Sequence, residues 1–178
     1  MFIGFKKKII QFLLSLFILS LVSGCGYRPS SHFAKKVLGN RVYTKVDVSL
    51  ATPENSVLIK DALNKALRTR LKTIVTRRKD ADSMLSVMYE NVRFIPLQYN
   101  KNGYAVEYQV NLNLKFTFEK DGKVETKRTI GRYEFPILPS AIIAYDVQLK
   151  AIEKSSVKAL DQFFAYITAK GYFVNKQK

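Results

Sequence analysis

Residues 104–118 read YAVEYQVNLNLKFTF. Tyr104, Val106, Tyr108, Val110, Leu112, Leu114, Phe116 and Phe118 are apolar, and Ala105, Glu107, Gln109, Asn111, Asn113, Lys115 and Thr117 stand between them. A period of two predicts a β-strand with one dry face and one wet face. The usual strand is about five or six residues long. At about 3.4 Å per residue, this one reaches about 50 Å. A strand so long and so one-sided needs a second layer along its dry face.

The flanking segments supply partners. Asp121-Gly122 is a two-residue hairpin signal. Val124–Phe135 is the return strand, with Thr126, Arg128, Ile130, Arg132 and Glu134 in one register. Gly131 suggests a bend in it, and Pro136 and Pro139 end it. Upstream, Met84–Leu97 is rich in β-formers, but its alternation breaks around Glu90, Asn91 and Val92, which predicts a bulge. Pro96 belongs near the end of that strand or on an edge. Arg41–Leu50 alternates, with Val42, Thr44, Val46, Val48 and Leu50 on one face and Tyr43, Lys45, Asp47 and Ser49 on the other.

Helical spacing marks the rest. Thr52 and Pro53 suit the first positions of a helix over about 54–73. Its apolar stripe is Ile59, Leu63, Ala66, Leu67, Leu71 and Ile74. A second helix over about 141–169 carries Leu149, Ile152, Leu160, Phe164 and Ile167, with Val157 and Phe163 beside them. Gly171 stands where a capping glycine belongs. The expected fold is an α+β two-layer sandwich. Two helices pack on one face of a mostly antiparallel four-stranded sheet, in the order β-α-β-β-β-α.

The N-terminus decides location. Lys6, Lys7 and Lys8 precede an apolar run, Ile9 to Val22, that ends at Ser23-Gly24-Cys25. This order is that of a secretory signal peptide. Cys25 is the only cysteine in the chain. Val22-Ser23-Gly24-Cys25 resembles a bacterial lipobox, which makes Cys25 the lipidation site. The expected organisation is a lipoprotein signal peptide over 1–24, a lipidated tether over 25–40 and a single α+β domain over 41–178. Two or three acyl chains hold a protein on a bilayer firmly where one does not. Gly26 carries no acidic inner-membrane retention signal, which points to the outer membrane.

Composition narrows the function further. Residues 25–178 keep 27 basic against 14 acidic side chains. An exported protein meets no nucleic acid, so the excess suits anionic headgroups and other envelope polyanions. With Cys25 carrying lipid, no thiol remains for disulfides, catalysis or metal. His32 is the only histidine and falls in the expected tether. No zinc or phosphate-loop motif occurs, and Asp80, Asp82, Glu90, Glu107, Glu125 and Glu134 read as solvated charges. The expectation is a binding or assembly component with no catalytic residues, no metal and no cofactor.

Cys25-Gly26-Tyr27, a helix opening on Pro53-Glu54, the stretch DADSMLSV over 80–87, the long hairpin and the closing amphipathic helix together resemble the LptE family of lipopolysaccharide-assembly lipoproteins. The resemblance implies two helices on a four-stranded sheet and a place at the outer membrane. It implies a plug inside an LptD-type β-barrel, assisting barrel assembly and lipopolysaccharide delivery, with the barrel and lipopolysaccharide as partners. Phosphates favour preformed basic surfaces. The candidate contacts are Arg77, Arg78 and Lys79 after the first helix and Lys120, Lys123, Lys127 and Arg128 around the hairpin, with Arg132 a weaker candidate. Lys127 and Arg128 should face opposite ways, so only one should serve an anionic partner. The competing reading is a pilotin-like or transport-accessory envelope lipoprotein.

Overall fold

A computed structural model describes residues 29–47, 53–138 and 142–176. The signal segment, Cys25, Val48, Ser49, Leu50, Thr52 and Pro139 lie outside the described residues. Helix α1 (Ser30–Leu38) leads into strand β1 (Arg41–Asp47), helix α2 (Pro53–Thr69) and strand β2 (Ile74–Val75). A 3₁₀ turn (Arg78–Asp80) precedes strands β3 (Ser83–Tyr99), β4 (Ala105–Lys120) and β5 (Lys123–Pro136), and helix α3 (Tyr145–Lys176) closes the chain. The sheet order is β2-β1-β3-β4-β5.

The α+β layering is as expected, but the strand count and order are not. Among the described residues the sheet has five strands and is mixed, and three helices are present. β3, β4 and β5 are antiparallel, whereas β1 pairs in parallel with both β2 and β3. The helical crossover through α2 brings the chain back to the same end of the sheet, which enforces the parallel pairing. β2 has two residues, too few for any alternation to show. Ile74 belongs to it and is exposed, not part of the helical stripe. The chain leaves α2 at Thr69, Lys72 takes a φ of 50°, and Thr73 N–H bonds back to Leu67 O at 3.0 Å.

The expected tether over 25–40 needs a larger correction. Ser30–Leu38 is a helix with Ala34, Val37 and Leu38 buried in the main core. Its short 3.6-residue stripe is masked by Gly26 and Pro29 before it and by Ser30 and Ser31 at its start.

β4 behaves as its pattern demands. Val110, Leu112, Leu114, Phe116 and Phe118 are buried beneath the helices. Phe116 stacks on Phe163 of α3 with ring centroids 4.2 Å apart. Each fully buried Leu or Phe contributes about 1.5–3 kcal/mol relative to an exposed one. The bulge in β3 falls between Tyr89 and Asn91. It turns Leu85, Val87 and Tyr89 on one side of it, and Val92 and Phe94 on the other, toward the same helical layer. β1 pairs with β3 only as far as Met88, so Pro96 lies on an edge, as its missing N–H requires.

Two glycines mark places where backbones touch. At Gly131 a Cβ would stand 1.8 Å from the Ser155 carbonyl oxygen. This is the point where α3, presenting Ser155 and Ala159, lies directly on β5. Gly171 does not cap α3, which runs on to Lys176. A Cβ there would stand 1.9 Å from the Phe33 carbonyl oxygen, so Gly171 is where α1 crosses α3.

Asp82 fastens α1 to the sheet. Its Oδ2 accepts from the backbone N–H groups of Asn40 (2.8 Å) and Arg41 (2.9 Å), and its Oδ1 accepts from the Arg41 guanidinium. Ser83 Oγ donates to Leu38 O beside it. The backbone N–H of Arg41, then that of Asn40, hold the Asp82 carboxyl below its ordinary value, with the Arg41 side chain adding to them.

Gly131→Ala should therefore lower stability by about 3 kcal/mol, because backbone must move to admit the methyl. Thr126→Ala, on the opposite face of the same strand, should change it by less than about 0.5 kcal/mol. Urea unfolding of both variants checks this. Asp82 gives a pH signature. A depressed folded pKa contributes stability above the unfolded value of about 3.9 that is lost as pH falls through the lower folded value. Asp82→Asn should lower the urea midpoint at neutral pH, and the gap from the parent should narrow as pH falls below about 4.

Candidate functional site

The helices cover one face of the sheet, and among the described residues no element covers the other. That open face is a set of polar rows across neighbouring strands. Asn91 and Asn113 pair at 2.6 Å, Gln109 and Glu134 at 2.9 Å, and Thr117 and Thr126 at 3.3 Å. Arg128 Nε donates to the bulged Glu90 at 2.8 Å. The strand register places Arg93, Asn111 and Arg132 in one row and Met88, Lys115 and Arg128 in another. Arg93 and Arg132 are exposed, and Met88, Ile95 and Ile130 add exposed apolar surface between the charges. An extended surface with alternating donors, cations and aliphatic groups suits a macromolecular partner better than a small ligand.

The sequence candidates divide between this face and one end of the molecule. Lys127 and Arg128 do point oppositely: Lys127 Nζ lies 5.0 Å from the Tyr166 ring centroid of α3, while Arg128 is on the open face. Lys120 and Lys123 face each other beside the hairpin turn. Arg77 pairs with Asp80 at 3.5 Å in the 3₁₀ turn, next to Arg78 and Lys79. Folding brings the two basic clusters together, since Arg78 and Lys120 line one shallow groove with Tyr43 and Asp121. A second groove adds His32, Lys35 and Lys36 from α1. The α1 cations were missed because their segment was read as a tether. Arg93 was missed because the bulge at Glu90 shifts its parity.

The geometry offers no acid-base or nucleophile arrangement built on His32, which sits on α1 against Phe33. No group of three or more His, Cys, Asp or Glu among the described residues could hold a metal. Asp80 and Asp82 are each taken by an arginine. Glu125 accepts from Lys170 and from Tyr166. Among the described residues no helix is long and apolar enough to cross a membrane.

Comparison with known proteins places this architecture. The rare lipoprotein B of Shewanella oneidensis matches with a TM-score of 0.51 and 17% identity, over 78% of this chain and 100% of that one. A putative lipoprotein from Caulobacter crescentus matches with a TM-score of 0.52 and 12% identity, over 84% and 97%. At such identities the likeness is one of fold. No curated protein matches in sequence. The family model described as LptE, lipopolysaccharide-assembly, matches residues 43–167, from β1 into the last turns of α3. The chain belongs to the LptE lipopolysaccharide-assembly family.

Proposed function

We propose that this protein is a lipid-anchored component of lipopolysaccharide assembly at the outer membrane, seated in an LptD-type barrel through its open sheet face. The observation that carries the reading is the uncovered, polar and cationic face itself. Across it Arg93, Arg128 and Arg132 stand exposed with Met88, Ile95 and Ile130 among them, a mixture of cations and aliphatic groups that fits a macromolecular partner. Family membership supports the process, and the lipobox at Cys25 supports the anchor.

In this reading Cys25 carries the acyl chains and the protein acts by binding. The barrel wall or a lipopolysaccharide phosphate meets Arg128, Arg93 and Arg132. Lys127, occupied by Tyr166, does not take part. Delivery of an anionic lipid past such a surface uses charge-assisted hydrogen bonds, which are stronger than neutral ones and fade as salt screens the exposed partners.

Co-purification of the tagged full chain from outer membranes tests the partner. A stoichiometric barrel of LptD type is the expected outcome; a secretin or inner-membrane complex would favour the pilotin-like or transport-accessory alternative. Arg128→Glu should reduce barrel recovery and lipopolysaccharide binding in a salt-sensitive way, while Lys127→Glu should leave both near the parental level. Equal behaviour of the two variants, with the fold intact, would remove the open face from the mechanism.

A further inference from the structure

The last described turn of α3 is unusual for a helix end. Tyr172, Phe173 and Val174 are consecutive and 48%, 62% and 43% exposed. Consecutive helical residues stand about 100° apart, so no single packing partner can cover all three. Tyr172 rests edge-on against Phe33 of α1, with ring centroids 5.6 Å apart, and Phe173 stands 5.7 Å from Tyr172. Gly171 locks this turn onto the start of α1. The aromatic cluster is therefore fixed beside the point where the N-terminal segment enters the fold.

Two further observations say what covers it. Cys25 is five residues before Ser30, and an extended chain spans at most about 3.6 Å per residue. A lipid on Cys25 thus holds the first turn of α1 within about 18 Å of the bilayer surface. The same end of the molecule is basic. Lys120 reaches the carbonyl of Lys36 on α1, Lys123 faces Lys120 across the hairpin, and Lys35 lies on the neighbouring turn. Of the acids nearby, Asp82 is held by Arg41 and Glu125 by Lys170, while Glu119 and Asp121 flank Lys120 and offset part of its charge.

We propose that Tyr172, Phe173 and Val174, with Lys35, Lys120 and Lys123 around them, form a foot that docks into the anionic phospholipid surface holding the Cys25 lipid. Aromatic rings settle at the headgroup level and basic residues beside them meet lipid phosphates. The foot supplies a second membrane contact that sets orientation, which a flexible acyl anchor cannot do. It places the hairpin end at the mouth of a partner barrel, beside the leaflet. The proposal rests on lipidation of Cys25, so its test reads the two separately.

The chain contains no tryptophan, so Phe173→Trp introduces a single fluorophore at an exposed site. Leu97→Trp, at the far end of β3, is the matching control. Each full-length variant is purified from membranes and its Cys25 lipid verified by mass spectrometry. Each is then placed on phosphatidylethanolamine vesicles with or without phosphatidylglycerol, doped with dibrominated lipid. The expected result is a blue shift and loss of emission for Trp at 173, greater with phosphatidylglycerol, and neither change for Trp at 97. Lipidated protein with no quenching at 173, or with equal quenching at both sites, overturns the foot and leaves the anchor standing. Quenching unaffected by phosphatidylglycerol removes the lysines from it. Protein without lipid and without quenching overturns foot and anchor together.

Discussion

A bare glycine at position 131 lets α3 lie directly on β5, and the rest of the architecture follows from that contact. With the helix backbone against the strand at Ser155, the side chains of α3 reach past β5 onto β4. Phe163 then stacks on Phe116, and Leu160 and Ile167 close over the apolar row of β4. α3 also protects the sheet edge. The Gln162 amide accepts from the Ile130 N–H and donates to the Ile130 C=O, the two groups that an exposed edge would leave unpaired. Gly171 repeats the device at the other end of α3 and admits α1. Helices are thereby committed to one face of the sheet.

That commitment has a functional consequence. Because one face takes the three described helices, the other is left uncovered by any described element along the length of β4. Cross-strand pairs hold its side chains in place, and Glu90, left without a register partner by the bulge, turns its carboxylate to Arg128. Such a surface is organised before any partner arrives, which limits the entropy lost on binding. The polar face and the aromatic end divide the work in our reading: one meets the barrel, the other the leaflet.

Much of this was legible in the residues. Fifteen alternating positions gave β4, Asp121-Gly122 gave the hairpin, and the parity break at Glu90 gave the bulge. The opposite orientations of Lys127 and Arg128 followed from strand geometry alone. The failures have physical causes. β2 is shorter than one period of its own signal. α1 is nine residues long and preceded by helix-breaking types, so only tertiary contact with α3 reveals its stripe. Gly131 and Gly171 were read through backbone freedom, whereas both act through the absence of a side chain where two backbones touch. The meeting of Arg78, Lys35 and Lys120 at one end is a product of topology, which no local pattern contains.

The central claim is that the uncovered sheet face is the partner surface. A photo-crosslinking amino acid placed singly at Arg93, Arg132 and Lys158 tests it in intact cells; the first two lie on the open face and the third on the exposed side of α3. The account predicts adducts with an outer-membrane barrel of LptD type from positions 93 and 132, and few or none from 158. Strong adducts from 158 with silence at 93 and 132 would contradict it.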